Sequence, residues 1–221
     1  MPVQGCSILC RATPWLLRNI LHGPAATHFP VVPLHGVQQE RTHGTSLDWQ
    51  LHEHGHRFVR YADDFVVLAQ TESRLHEAFD LVQRHLTSLG LTLSAEKTKQ
   101  SKFREGFTFL GFAISSWSVT MRPKSVEKFK TKIRDLTPRH HNLDQDVITK
   151  LNRVIRGTAN YFVTPYSEVG ALFRGLDRWI RMRLRCMKYK RKSRADNGRF
   201  RLRYFRSMGL LSLSDLRPAP A

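Results

Sequence analysis

Asp63 and Asp64 are adjacent carboxylates at the centre of Arg57-Phe58-Val59-Arg60-Tyr61-Ala62-Asp63-Asp64-Phe65-Val66-Val67-Leu68. Side-by-side carboxylates repel, and neither is cheaply buried without compensation. A divalent cation compensates, since Mg2+ takes oxygen ligands and is commonly held by one or two carboxylates together with substrate phosphates. Paired aspartates therefore suit phosphoryl or nucleotidyl transfer, with metal ions activating the attacking oxygen and stabilising the leaving one. The same dipeptide is also an ordinary polar turn between strands, so its surroundings decide between the two. His52, His54 and His56 alternate and on a strand would share one face. No Cys or acid completes them at metal-ligand spacing, and they read as surface histidines.

The elements that would position the aspartates are legible as patterns. Apolar, β-branched runs on both sides of Ala-Asp-Asp predict a β-hairpin with the acids at its tip. Leu75, Phe79, Val82, Leu86 and Leu89 recur at helical spacing, with Gly90 at the C-terminal cap position, predicting a helix from Glu72 to Leu89. Leu91-Thr92-Leu93 alternates as a strand, and Phe107 to Ile114 predicts another, with Gly111 marking a bulge or a close backbone approach. Beyond Pro123 the periodicity is helical throughout, with Ser125 as a candidate N-cap. Three stripes follow, through Val126–Leu136, Val147–Phe162 and Val169–Leu184, separated by Pro138 and Pro165. The expected fold class is α+β: an antiparallel sheet with a packed helix, then a basic α-helical bundle. Residues 1–45 hold no sustained periodicity and read as unassigned and poorly ordered, followed by units at 46–121 and 122–217.

Charge separates the two folded parts. The chain carries 36 Lys and Arg against 18 Asp and Glu, a formal charge of +18. Between Arg122 and Arg206 there are 24 basic and 7 acidic residues, so the first 121 are close to neutral. A block this basic, and apolar enough to fold, points to a polyanion, most simply nucleic acid. An anionic membrane surface ranks lower because the leucines and aromatics sit at core spacing. Ordinary solvated helices mix charge signs, whereas the third stripe mixes Arg174, Arg178, Arg181 and Arg185 with little acid, and Lys188, Lys190, Arg191 and Lys192 follow. Lys128, Lys132, Arg153 and Arg156 lie on the two helices before it. Phosphate contacts by these side chains imply strong salt dependence and little sequence readout. Three cysteines make neither a disulfide framework nor a zinc site, which fits a bacterial cytoplasm or an equivalent reducing compartment. No apolar run reaches the ~20 residues that cross a bilayer.

Tyr61-Ala62-Asp63-Asp64 between two apolar strands resembles the catalytic hairpin of reverse transcriptases, and the extended stretch is similar to the enzymes encoded by group II introns. The resemblance continues through Gly90-Leu91-Thr92-Leu93, Glu96-Lys97-Thr98 and Phe109-Leu110-Gly111-Phe112. Leu151-Asn152-Arg153, Ile155-Arg156-Gly157, Asn160-Tyr161-Phe162 and Leu176-Asp177-Arg178-Trp179 resemble the maturase-specific thumb domain that follows the polymerase in this family. It implies a partial polymerase palm at 46–121 and a maturase domain at 122–217. It further implies metal-binding carboxylates at Asp63 and Asp64 for Mg2+, and a primer grip at Phe109, Leu110, Gly111 and Phe112. Lys97 is implied near the nucleotide phosphates, where it would neutralise the leaving group, though a solvated lysine reads the same. Tyr161 and Tyr189 stack on bases or are simply buried.

The implied partners are group II intron RNA, a template–primer duplex and a complementing N-terminal reverse transcriptase fragment; no membrane partner is expected. Residues 47 to 216 carry the resemblance, so the chain reads as a C-terminal portion of such a protein. The family's further aspartate, on a strand upstream of the hairpin, is not matched: before Tyr61 the acids are Glu40, Asp48 and Glu53. Three functions stay open at this point. The chain is a polymerase–maturase part needing another polypeptide, an RNA-binding splicing factor acting through its basic half, or a truncated product without a role.

Overall fold

The runs flanking the two aspartates do form a hairpin in the computed structural model, which describes residues 6–7, 38–61, 64–93 and 98–216, with side chains from Ser46 onward. Strands β2 (Arg57–Tyr61) and β3 (Asp64–Ala69) pair antiparallel from Arg57↔Leu68 to Tyr61↔Asp64. A short strand β1 (Cys6–Ser7) pairs with the other edge of β3, at Cys6↔Ala69 and Ser7↔Leu68. The sheet order β1-β3-β2 makes β3 central. That position explains the unbroken Phe65-Val66-Val67-Leu68-Ala69: a central strand covered on both faces reads as an apolar run, not as an alternation.

Helix α1 (Gln38–Glu53) precedes the hairpin, and α2 (Glu72–Ser88) follows it. Leu47 and Leu51 of α1 and Ala78, Leu81 and Val82 of α2 meet Phe65 and Val67 in one core, with Phe58 packed against it. Period-2 geometry puts Phe58, Arg60, Phe65 and Val67 on that face of the sheet, and Tyr61, Asp64 and Val66 on the other. Arg60 answers the helical layer with an ion pair to Asp48 of α1, 3.1 Å away.

The α2 prediction falls one residue from the observed end. Thr71 caps the start by accepting from the Arg74 amide, and Gly90 (φ +70°) leaves the helix. The Gly90 amide donates to Thr87 O and the Leu91 amide to Leu86 O, the two bonds of a Schellman motif. Two sequence expectations do not hold beyond it. Leu91-Thr92-Leu93 is not a strand: no ladder forms along it among the described residues, and Leu91 is exposed. Phe107–Ile114 is not one bulged strand but two, β4 (Phe107–Phe109) and β5 (Phe112–Ile114), registered Phe107↔Ile114 and Phe109↔Phe112. Leu110 (φ +52°) and Gly111 (φ +81°) are both left-handed, the requirement of a two-residue type I′ turn. The histidines also depart from one strand face. His52 is in the last turn of α1, Gly55 turns the chain, and His56 is buried before β2.

The backbone divides after Ser118, and β6 (Val119–Met121) opens the second unit. There the three stripes become α3 (Pro123–Leu136), α4 (Gln145–Phe162) and α5 (Gly170–Tyr189). Phe129 and Ile133, then Ile148, Leu151 and Ile155, then Phe173, Leu176, Ile180 and Leu184 form its buried interior. The N-cap of α3 is Arg122 and not Ser125: Pro123 occupies the first turn, where its missing N–H costs nothing. The basic segment after α5 is folded as well, through α6 (Asp196–Arg199), α7 (Leu202–Ser207) and a final turn.

That last segment is held by two polar side chains of the helices. Asp177 is buried and accepts from Ser212 Oγ (2.7 Å), Leu213 N (2.8 Å), Ser214 N (3.0 Å) and Ser214 Oγ (2.7 Å). Asn152 donates to Gly209 O (2.8 Å) and accepts from Leu211 N (2.9 Å). At the other end of the unit Arg183 donates to Thr137 O (2.6 Å) and Thr137 Oγ1 (3.1 Å), fixing the exit of α3.

Two stability outcomes follow from these contacts. Asp177→Ala strands two hydroxyls and two amides, and an unfolding titration is expected to show a loss of about 3 kcal/mol, with hydrogen exchange at 209–216 accelerated first. Gly111→Ala places a Cβ at positive φ and is expected to cost ~1–2 kcal/mol, whereas Leu110→Asn relieves the same strain and raises the urea midpoint. Equal stability of the Gly111→Ala variant and the parent would rule out the type I′ turn.

Candidate functional site

Asp64 opens β3 opposite Tyr61, half-buried, on the sheet face away from α1 and α2. The two residues that join the strands, Ala62 and Asp63, lie outside the described residues, as does Lys97. Among the described residues no group of three or more His, Cys, Asp or Glu side chains gathers as a metal site. The strand beside β3 comes from a segment of 39 residues that contains no Asp or Glu. The described residues therefore do not by themselves assemble the donor set of a two-metal centre. Asp48 is engaged elsewhere: burial raises its pKa, opposed by the charge and hydrogen bond of Arg60.

The four residues expected as a primer grip occupy the β4–β5 hairpin. Phe109 and Phe112 are core side chains, 2% and 0% exposed, while Leu110 and Gly111 make the turn. The buried phenylalanines anchor the hairpin, and Leu110 and Gly111 form its tip.

The twelve expected RNA-binding cations divide into two groups. Four are engaged by partners within the unit. Arg185 donates to Phe200 O (2.9 Å) and lies 5.2 Å from the Phe205 ring centroid; burial lowers its pKa, helped by the charge of Arg181. Lys188 sits 4.3 Å over the Phe200 ring. Lys190, at the left-handed C-cap of α5, donates to His140 O, His141 O and Asn142 Oδ1. Arg191 pairs with buried Asp196 at 3.0 Å, and that hydrogen bond, with the charges of Arg191, Arg199 and Arg185, holds the Asp196 carboxyl below its ordinary range.

The other eight project outward. Lys128 and Lys132 are exposed one turn apart on α3. Arg153 and Arg156 are exposed on α4 and line a groove of about 510 Å³ with Thr149, Asn152, Gly157 and Asn160. Arg174 and Arg178 are exposed and Arg181 half-buried along α5, at the edge of a cavity of about 320 Å³. Lys192 is exposed beyond the helix. The spacing 174, 178, 181, 185 follows one helical face, with its last member turned to the protein and the others to solvent.

Three functional contributions escape a reading of charge runs. Arg206 of α7 faces the same cavity as the α5 arginines. Asn152 and Asp177, which stand in motifs of the family resemblance, hold the C-terminal segment. A signal existed: both lie inside apolar stripes, Asn152 between Ile148 and Ile155, and Asp177 between Phe173 and Ile180. A polar residue at a core position demands an internal partner.

Comparison with known proteins gives two family matches along the chain. Residues 38–114 match the family "Reverse transcriptase (RNA-dependent DNA polymerase)", and residues 126–205 match "Group II intron, maturase-specific domain". The chain is also 28% identical over 110 residues to "Protein P" of Hepatitis B virus genotype C subtype ayr, covering 50% of this chain and 12% of that protein. It is 30% identical over 112 residues to "Protein P" of genotype F1 subtype adw4 and of Chimpanzee hepatitis B virus, again 50% of this chain and 12% of each relative. The aligned part thus spans about an eighth of these relatives' length. Reverse transcriptases as a family use divalent metal, and no helix among the described residues is long and apolar enough to cross a membrane. With a polymerase hairpin joined in sequence to a maturase-specific domain, the chain belongs to the group II intron reverse transcriptase/maturase family.

Proposed function

We propose that this chain binds group II intron RNA through its helical unit and assists intron splicing and mobility, its hairpin contributing part of a polymerase site. The observation that carries this reading is a set of exposed cations on three successive helices that the fold leaves without internal partners among the described residues: Lys128, Lys132, Arg153, Arg156, Arg174 and Arg178. Acids and carbonyls of the same unit neutralise other cations, so these six are not a surplus the protein failed to pair. Phosphates of a folded RNA supply the missing charge, and a template–primer duplex presents the same chemistry.

The hairpin takes the second part. Asp63 and Asp64 contribute carboxylates for Mg2+, Lys97 stands by the nucleotide phosphates, and the Leu110–Gly111 turn meets the primer end. A metal pair with part of its ligands supports little catalysis, so a further carboxylate from outside residues 46–121 completes the site.

Filter binding across a salt series tests this directly. Group II intron RNA is expected to bind more tightly than an unrelated structured RNA, with log affinity falling steeply against log salt. Lys128→Gln/Lys132→Gln is expected to flatten that slope by about 0.7–0.9 for every phosphate that the lysines no longer neutralise. Asp63→Ala/Asp64→Ala should leave RNA binding and splicing support unchanged and abolish primer extension in any reconstituted polymerase. Equal, weak and fully salt-erased binding to both RNAs would sink the intron-binding reading.

A further inference from the structure

The cavity beside α5 is more than a continuation of a charged surface. Arg174, Arg178 and Arg181 enter it from one helical face, and Arg206 enters from α7 across it. Its walls include Leu202 and Leu210. Leu202 is a large apolar side chain left 42% exposed. The one buried acid on the lining, Asp177, is saturated by four hydrogen bonds from Ser212, Leu213 and Ser214. It makes no close ion pair with the arginines, though its charge remains beside them. The acid nearest Arg206 among the described residues is Asp215, at 4.0 Å with both side chains nearly two-thirds exposed, a pair of little strength. Four arginines and two acids thus line a concave space of about 320 Å³, an excess of positive charge, and neither acid forms a close ion pair with Arg174, Arg178 or Arg181.

Guanidinium forks match phosphate oxygens in bidentate geometry. A convex cation pair such as Lys128 and Lys132 suffices for the backbone of a duplex. A cavity with an apolar wall suits a ligand that couples phosphate to a flat, largely apolar body. Bases inside an RNA duplex are stacked and out of reach, whereas those of bulges and loops can be splayed into a protein. We propose that this cavity receives a single unpaired nucleotide of the bound RNA, its phosphate on Arg174, Arg178 and Arg206 and its base against Leu202 and Leu210. The site rests on the reading of the helical unit as RNA-binding and adds to it what feature of the RNA is gripped.

The test uses the full chain with two RNA hairpins, one fully paired and one identical except for a single-adenosine bulge. The bulged RNA is expected to bind about tenfold more tightly, a contribution at the low end of that of a base stacked on an aromatic ring, since leucines offer apolar contact without a π face. Arg178→Gln should remove most of that preference and weaken binding to the paired RNA slightly. Leu202→Ala should reduce the preference while leaving the paired RNA unaffected. Both side chains are exposed, so circular dichroism should match the parent; Arg174→Gln replaces either variant that unfolds. Equal affinity for the two hairpins overturns the nucleotide site while intron-RNA binding stands. A preference that survives all three substitutions overturns its location. Loss in the arginine variants alone reduces it to a phosphate site, and binding of neither hairpin removes this inference together with the reading beneath it.

Discussion

A helical unit with 24 basic and 7 acidic residues between Arg122 and Arg206 must fold against its own repulsion. It does so by committing nearly every acid to structure. Glu127 takes Lys130 and Arg134, Asp144 caps α4, Asp146 takes Lys150, Asp177 anchors the terminal turn and Asp196 takes Arg191. Where acids run out, backbone carbonyls serve: Phe200 O for Arg185, Thr137 O for Arg183, His140 O and His141 O for Lys190. What remains is a set of cations chosen by exclusion, and it faces outward. In this unit the surface offered to a polyanion and the solution to the folding problem are the same distribution of charge seen from its two sides.

The first unit obeys a different constraint. Its sheet has one face committed to α1 and α2, and the alternation that sends Phe65 and Val67 into that core necessarily sends Asp64 to the other face. A one-residue slip would bury the carboxylate among leucines. Placement of the carboxylate is thereby a by-product of core registration, with Arg60 and Asp48 satisfying the one charged position that falls on the helical side.

Elements with long periodic patterns were legible in the sequence: the hairpin, α2 and the three basic helices all stand where apolar spacing puts them. Short elements were not. β1 has two residues and takes its identity from pairing with β3, information that no local pattern carries. The β4–β5 hairpin hid inside an apparently continuous strand because Leu110, not Asn or Gly, holds the first left-handed turn position. Cation roles were legible as a group and not one by one. Arg185 and Arg181 look alike in sequence, and only the course of the tail decides that Arg185 meets Phe200 while Arg181 meets open space.

The motifs Leu151-Asn152-Arg153 and Leu176-Asp177-Arg178 show how tightly folding and binding are joined. Successive helical residues point about 100° apart, so a buried Leu is followed by a boundary residue and then by one facing solvent. The boundary residue, Asn152 or Asp177, reaches the C-terminal segment, and the third, Arg153 or Arg178, lines a groove or cavity beside it. The segment held by the middle residue also forms part of one such wall, through Leu210, Leu211, Ser212 and Ser214. The Leu176-Asp177-Arg178 triplet therefore both fixes a wall and places a cation at it within one turn of helix. Replacing the boundary residue would disturb that surface without removing a single positive charge from it.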